Sequence, residues 1–410
     1  MIKATPNEMV FMICGHMMNL DERLNAVWDT VVAHRRWLHE NPELSGRERN
    51  TASYISCCLR KMGLTPVENV GGYGVTAVIQ GRKGGKCIGL RADFDALPLQ
   101  EETCLPFASR HPGVSHACGH DVHTAMLLGV AQVLQRMRSQ FTGSVKLIFQ
   151  PSEENAFDSG AKKMIAQGVL EDPHVDAVLA QHVNPHYHTG TVALRSGAMT
   201  ASSDRFFIRI RGKSSHGSEP EDGVDAVTIG AQVITALQSI VSRTVCPQDS
   251  VVITIGKVSG GSQYNIIADH FLMEGTCRTL NPKVQDALPG RMEAMIKGIT
   301  EGMGGTYEFS YVKGFSPTIN DPRQFALVRD TAQRVLGIQQ VRLQEKAAMI
   351  GEDFSFYGQN VPACFYWVGC QAPDKPFYPL HSSCFVPDEE AMRTGMKVML
   401  TTALQYLQEA

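Results

Sequence analysis

The pattern of apolar residues changes twice along the chain, and this change limits its fold more than any other feature. From about residue 20 to residue 198, amphipathic helical periods alternate with short runs that are apolar almost throughout, at 74–79, 87–90, 145–149 and 175–180. Strands without polar alternation are usually buried on both faces, as in a sheet covered by helices. This part of the chain is therefore predicted to be α/β, with a mixed, largely parallel sheet between helices.

Longer runs that alternate between apolar and polar residues follow, from about residue 203 to residue 312. They predict strands and two amphipathic helices in the order β-α-β-β-α-β, which is the order of a ferredoxin-like α+β sandwich. The four strands of this order lie at 205–211, 250–255, 271–278 and 306–311, with one further predicted strand near Ile266, and the predicted helices lie at 224–241 and 282–301.

After residue 317 the first pattern returns, with a helix at 323–335, a buried run at 363–368 and a closing helix at 389–407. A chain of 410 residues is long enough for two or three domains. We therefore expect a catalytic domain in two parts, 1–200 and 316–410, interrupted by an inserted domain at 201–315.

Charge and cysteine content exclude several classes of partner and compartment. The 38 Lys and Arg residues nearly balance the 41 Asp and Glu residues, so no nucleic-acid-binding surface is expected. No run approaches the roughly 18 apolar residues of a membrane span. The short apolar run at 9–14 matches a signal peptide only weakly. The 11 cysteines have no framework spacing, and their odd number favours a reducing cytoplasm.

Residues 116–123 (His-Ala-Cys-Gly-His-Asp-Val-His) contain the densest group of metal-capable side chains. Cys118 and His120 are expected on a non-helical, glycine-containing segment, where both can face one ion, with a helix from about Thr124 to Met137. A buried cysteine beside polar helix-capping residues is the ordinary alternative for such a segment taken alone.

Further polar residues follow predicted strands. Asp93 and Asp95 come after the run 87–90, Glu153 and Glu154 after 145–149, and His182 after 175–180. Ligands of open α/β sheets gather beyond the carboxyl ends of the strands, so these side chains are expected at one edge, although adjacent carboxylates can also be simple solvated charges. His381, from the loop before the last helix, brings the candidate ligands to one thiolate, one carboxylate and three imidazoles. Five ligands are too many for one tetrahedral site, and the set suits two ions.

Four segments together resemble a known metallohydrolase family. They are Leu-Arg-Ala-Asp-Phe-Asp-Ala-Leu-Pro at 90–98, Ala-Cys-Gly-His-Asp-Val-His at 117–123, Phe-Gln-Pro-Ser-Glu-Glu at 149–154 and Leu-His-Ser at 380–382. The chain resembles, from about His34 to its end, the amidohydrolase branch of the aminoacylase and carboxypeptidase di-metal metallopeptidases. That branch includes hippurate hydrolase, N-acyl-amino-acid deacylases and indole-acetyl-amino-acid hydrolases.

The resemblance implies a dinuclear site with two divalent ions, Zn or Mn first and Co or Ni as alternatives. It implies that the Cys118 thiolate bridges the ions, that Glu153 is the general base and that Asp93 orients a ligand imidazole. The ligands it implies are Cys118, His120, Glu154, His182 and His381.

In the inserted domain the resemblance implies a role as lid and dimer interface of a homodimer. His216 would reach the partner subunit's active site and stabilise the oxyanion, and Asn265 and Arg278 would bind the substrate's α-carboxylate. The segment after His216 reads Ser-Glu-Pro-Glu at 218–221, which departs from the Ala and Pro residues usual in the family. A surface-turn histidine and a strand-ending arginine are the structural alternatives.

The function that the resemblance implies is hydrolysis of a small N-acyl amino acid to a carboxylic acid and a free amino acid, by a metal-activated water with Glu153 as base. One alternative is a dipeptidase or carboxypeptidase of the same fold, and another is a non-catalytic metal-binding homologue. A serine hydrolase is not favoured, because the sequence has no Gly-x-Ser-x-Gly motif.

Overall fold

The computed structural model describes residues 20–409, so the apolar run at 9–14 lies outside the described part of the chain. Its contacts divide the chain into two compact units. The large unit extends up to Met199 and resumes over Ile319–Lys346 and from Phe356 onward. The small unit comprises Thr200–Thr318 and Ala347–Ser355.

Residues 20–409 form fourteen strands, which are numbered in chain order. They are β1 Val67–Val70, β2 Gly74–Gln80, β3 Arg82–Asp93, β4 Thr142–Gln150, β5 Ala177–His188, β6 Val192–Leu194, β7 Gly197–Thr200, β8 Ser203–Arg211, β9 Val251–Gly260, β10 His270–Thr279, β11 Thr306–Phe315, β12 Thr318–Asn320, β13 Val341–Leu343 and β14 Ala363–Gln371. The helices of eight or more residues with fully described bounds are Trp28–Glu40, Arg49–Lys61, His120–Arg136, Ala226–Arg243, Pro282–Gly302, Pro322–Leu336 and Ala391–Gln408.

The large unit is built on an eight-stranded mixed sheet in the order β1-β2-β4-β3-β5-β14-β6-β13. Its central strands β4, β3, β5 and β14 run parallel to one another, and all but the first residue of β4 are buried. Helices His120–Arg136 and Ala391–Gln408 pack in the same core as these strands. The wholly apolar runs therefore form the buried centre of the sheet, as predicted.

The small unit is an antiparallel sheet in the order β11-β8-β10-β9 with two helices packed against it. Alternate residues of β8 are buried, and Phe206, Ile208 and Ile210 enter a core of their own with both helices. Helix Ala226–Arg243 begins where the Asp225 carboxylate accepts the N–H groups of Val227 and Thr228. Strand and helix order are those of the ferredoxin-like sandwich, which confirms the predicted fold class.

Two predictions about strands were wrong. Residues near Ile266 form only an isolated bridge with His216 and no strand, because β10 already pairs with β8 and β9 on its two edges. Strand β5 begins at Ala177 and continues to His188, so His182 lies within it and does not follow it. Among the described residues, no helix is long and apolar enough to cross a membrane.

Candidate metal centre

Two of the predicted ligands flank a glycine that directly precedes a helix. Cys118 is followed by Gly119, whose φ of +85° is left-handed, and His120 is the first residue of helix His120–Arg136. The helix thus starts four residues earlier than predicted, and His120 is not on a non-helical segment. A Cβ at position 119 would lie 2.5 Å from Cγ2 of Val183. Both the backbone conformation and the space therefore require glycine between these two side chains.

The large unit brings five predicted ligands and the predicted base into one cluster. Cys118 Sγ lies 3.4 Å from His182 Nε2, and His381 Nε2 lies 3.3 Å from Glu154 Oε1. His120 Nε2 lies 3.9 Å from Glu154 Oε1 and 4.0 Å from Glu153 Oε2. The His381 backbone N–H also donates to the Ala117 carbonyl at 2.8 Å, which ties the loop of His381 to the Cys118 segment.

In His120 and His182, Nδ1 is engaged in hydrogen bonds outside the cluster, and Nε2 is left to face the cluster. His120 Nδ1 lies 2.9 Å from the Asp95 carbonyl oxygen and 3.2 Å from Asp95 Oδ1. His182 Nδ1 donates to the Val183 carbonyl at 2.7 Å. Within the described chain, His120 Nε2 and Glu154 Oε1 are buried and make no hydrogen bond, and the near neighbour of Glu154 Oε1 is the predicted ligand His381. Buried polar atoms rarely lack a hydrogen bond, so these two fit ligands of a cation.

The electrostatics of the cluster also fit a cation. Burial, together with Glu154 and Glu153, raises the pKa of the Cys118 thiol well above its usual range. Burial opposes protonation of His120, but Asp93 and Asp95 outweigh it and raise its pKa to about 10. The negative charge of the nearby carboxylates favours the protonated forms of Cys118 and His120. A metal ligand must be deprotonated, and a bound divalent cation would replace these protons in balancing the charge of the carboxylates. A thiolate, imidazoles and a carboxylate are suitable donors for Zn and similar transition ions.

Asp93 has a different neighbour from the one expected. Its Oδ1 accepts from Nδ1 of His123 at 2.6 Å, and its Oδ2 pairs with the Arg91 guanidinium at 2.6 Å. The Val183 backbone N–H donates to Nε2 of His123 at 2.9 Å, so both nitrogens of this ring are engaged. Asp93 therefore orients His123, which is not among the predicted ligands, and Asp95 is the carboxylate that holds the predicted ligand His120.

Sequence reasoning assigned no role to Asp95, although it noted its position. Asp95 Oδ2 accepts the backbone N–H of Glu154 at 3.0 Å and the Ser45 hydroxyl at 2.6 Å. One buried carboxylate thus contacts two ligand-bearing segments. Its spacing of two residues from Asp93 at a strand end was the available signal.

A buried charge cluster next to the ligands was also missed. Asp121, which follows His120, pairs with Arg35 Nε at 3.1 Å and with His39 Nδ1 at 2.8 Å. His39 Nε2 lies 3.2 Å from Glu101 Oε1. These side chains connect helix Trp28–Glu40 to the start of the ligand-bearing helix and to the loop around Glu101.

The three remaining predicted residues lie in the small unit. His216 is exposed, its Nδ1 lies 2.7 Å from the Ser218 hydroxyl, and it bridges Ile266 beside Asn265. Both lie beyond the His270 end of β10, whereas Arg278 is near the other end of that strand. Eight residues of strand separate His270 from Arg278, which corresponds to roughly 25 Å. The small unit brings His216 and Asn265 together and does not bring Arg278 to them.

Comparison with known proteins identifies the class to which this fold and site belong. The model of "Peptidase family M20/M25/M40" matches residues 89–405. The chain belongs to this metallopeptidase family, and the resemblance drawn from its four motifs is confirmed.

Individual relatives narrow the class. The chain is 38% identical over 385 residues to N-acetyl-L-cysteine deacetylase of Bacillus subtilis strain 168, covering 94% of this chain and 90% of that protein. It is 41% identical over 297 residues to N-acyl-L-amino acid amidohydrolase of Geobacillus stearothermophilus, covering 72% and 80%. The crystal structure of the Bacillus subtilis YXEP protein, a dinuclear metal-binding peptidase of the M20 family, is 34% identical with a TM-score of 0.81, covering 94% and 100%.

Proposed function

We propose that the protein is a metal-dependent amidohydrolase that cleaves N-acyl amino acids to a carboxylic acid and an amino acid. The observation that carries this proposal is the cluster of five predicted ligands around His120 Nε2 and Glu154 Oε1, which are buried and make no hydrogen bond, with Glu153 at its edge. The names of the deacetylase and amidohydrolase relatives support the same substrate class.

Cys118, His120, Glu154, His182 and His381 would hold two divalent ions. When bound, the ions supply Lewis-acid polarisation of the amide carbonyl and a nucleophilic water. Glu153 would take the proton of the attacking water and deliver it to the leaving nitrogen. The adjacent Glu154 has a different task, because a carboxylate engaged as a ligand is a poor proton acceptor. Zn or Mn is the proposed occupant, with Co or Ni as alternatives.

The proposed enzyme is a cytoplasmic homodimer whose small unit serves as lid and dimer interface. His216 from the partner subunit would stabilise the oxyanion, and Asn265 and Arg278 would bind the α-carboxylate. The placement of Asn265 and Arg278 toward opposite ends of β10 supports contributions from two subunits to one substrate. The odd count of 11 cysteines, without framework spacing, supports the reducing compartment.

The proposed activity is tested by loading the metal-stripped protein with Zn, Mn, Co or Ni and assaying N-acetyl and N-benzoyl amino acids beside dipeptides. Hydrolysis of the acyl amino acids in preference to dipeptides supports the proposal. Preference for dipeptides would favour a peptidase of the same fold, and a metal-loaded protein inert on the whole panel would favour a non-catalytic homologue.

The dimer is tested by complementation between two inactive variants. Glu153→Gln and His216→Ala proteins are mixed and their subunits exchanged under mild denaturant. Each mixed dimer then has one site with both residues, so roughly a quarter of wild-type activity should return. Mixtures that stay inactive, although mass spectrometry detects mixed dimers, would contradict a shared site.

A further inference from the structure

Ser152, the residue before the two neighbouring acids, has a backbone that needs support. Its φ is +53°, in the left-handed region that residues other than glycine rarely adopt. Ser152 is buried and directly precedes Glu153 and Glu154. The direction in which these two carboxylates leave the chain therefore depends on an unfavourable conformation of the preceding residue.

Glu48 provides a matching acceptor, 104 residues away in sequence. Its Oε1 accepts the Ser152 backbone N–H at 2.8 Å and lies 3.2 Å from the Ser152 hydroxyl. Glu48 is fully buried, and it precedes helix Arg49–Lys61. Its side chain therefore spans from the start of this helix to the turn that carries the acids.

The other end of the same turn is held by Asp95, which accepts the Glu154 N–H at 3.0 Å. Residues 152–154 are thus hydrogen-bonded at both ends to buried carboxylates from different parts of the chain. Removing the Glu48 carboxylate would leave the Ser152 N–H and hydroxyl buried without this acceptor, and only the bond from the Gly160 N–H to the Ser152 carbonyl, at 3.1 Å, is described as remaining at that residue.

We propose that Glu48 is a positioning residue, which fixes the Ser152 turn and thereby aims Glu154 at the metals and Glu153 at the substrate. This inference rests on the proposed function for the roles of the two acids. Glu48 itself takes no part in the reaction, and its effect passes through the backbone of Ser152.

The chain offers a matched control in Glu43. Its carboxylate also accepts a backbone N–H and a hydroxyl, those of Thr51, at 2.8 and 2.9 Å. Both donors lie in helix Arg49–Lys61, and within the described part of the chain the Glu43 side chain makes no hydrogen bond with residues 152–154. Asn50 Nδ2 also donates to Glu43 Oε1 at 2.8 Å, so truncation of Glu43 removes three hydrogen bonds without touching the turn.

The experiment titrates metal-stripped wild type, Glu48→Ala, Glu48→Gln and Glu43→Ala with Co²⁺, and follows binding by calorimetry and by the thiolate-to-cobalt absorption band. Removing a group that orients a ligand typically weakens metal binding about 10–100-fold, and we expect a loss of this size in Glu48→Ala. Glu48→Gln, whose amide oxygen can still accept the Ser152 N–H, should recover most of the affinity. Glu43→Ala should lower the thermal unfolding midpoint and leave Co²⁺ affinity unchanged.

Turnover provides a second readout. In Glu48→Ala loaded with saturating Co²⁺, kcat should fall while KM changes little, because Glu153 is misaimed and the substrate-binding residues are untouched. Unchanged Co²⁺ affinity in a folded Glu48→Ala protein, with a midpoint shift like that of Glu43→Ala, would overturn the inference. If wild type hydrolyses no substrate, the proposed function fails, and the Co²⁺ titration still decides the role of Glu48.

Discussion

His123 and Asp93 form a 2.6 Å hydrogen bond between Nδ1 and Oδ1, and this bond fixes the orientation of the His123 ring. The second ring nitrogen accepts the Val183 N–H. Although His123 lies in the same motif as Cys118 and His120, the fold uses it to support His182, whose ring centroid is 4.3 Å away.

Metal content should therefore distinguish His123 from His120. His120→Ala removes a ligand and should lower the metal bound per chain after dialysis. His123→Asn keeps a donor toward Asp93 and should retain the full metal content, while unfolding free energy falls by about 1–3 kcal/mol because the Val183 N–H loses its acceptor. Elemental analysis and urea denaturation measure the two quantities. Loss of an ion from His123→Asn would place that imidazole among the ligands.

Replacing Glu153 by Gln should separate proton transfer from metal binding. The amide has the shape of the carboxylate but cannot accept the proton, so kcat should fall about 10²–10⁴-fold while metal content stays at the wild-type level. Glu154→Gln provides the contrast, because it should lose metal as well as activity. Near-normal turnover in Glu153→Gln would exclude Glu153 as the base.

The fold was predictable because hydrophobic periodicity reports burial directly. Runs such as 145–149 have no polar alternation, and they became the central strands of the large sheet. The segment near Ile266 has the composition of a strand but forms only one bridge, because strand formation depends on a free neighbouring edge. No local pattern reports whether an edge is free.

The clustering of the predicted ligands could also be predicted, since these residues stand at or near strand ends and in one dense motif. The supporting contacts were less so. Asp93 and Asp95 are chemically alike and two residues apart, and only the docking of helix His120–Arg136 decides that Asp93 takes His123 and Asp95 takes His120. Glu48 reaches Ser152 across 104 residues, and nothing in the local sequence marks that contact.

Gly119→Ala should damage the metal centre more than a glycine change with equal backbone strain. The new Cβ would meet Val183 Cγ2 at 2.5 Å. Gly113 also has a positive φ, +74°, but has open space around it, so Gly113→Ala reports the backbone term alone, about 1–2 kcal/mol.

For Gly119→Ala we expect an additional loss of about 1–3 kcal/mol from the clash, together with reduced metal content, because Cys118 and His120 flank the position. The double variant Gly119→Ala, Val183→Ala should recover part of both losses. Urea denaturation and metal analysis of all three proteins check this. Equal losses in Gly113→Ala and Gly119→Ala would contradict a steric requirement at position 119.

The pH dependence of stability should report the cluster of His39, Asp121 and Glu101. Burial and the Arg35 charge lower the pKa of His39, but the two carboxylates outweigh them and raise it above its ordinary value. A histidine with a raised folded pKa stabilises the fold fully below its unfolded value of about 6.5 and loses that contribution as pH rises through the folded value. The pKa of Glu101 is lowered to about 2, and that of Asp121 is also lowered, so neither titrates in this range.

Wild type should therefore exceed His39→Gln in unfolding free energy by about 1–3 kcal/mol near pH 6, because the variant removes the cation shared by Asp121 and Glu101 while Arg35 still pairs with Asp121. The difference should shrink as pH rises from 6.5 toward 9. Urea denaturation of both proteins at matched ionic strength measures it, and subtraction removes the titration of groups common to the two. A difference that stays constant or grows over this range would mean that His39 is neutral in the folded protein.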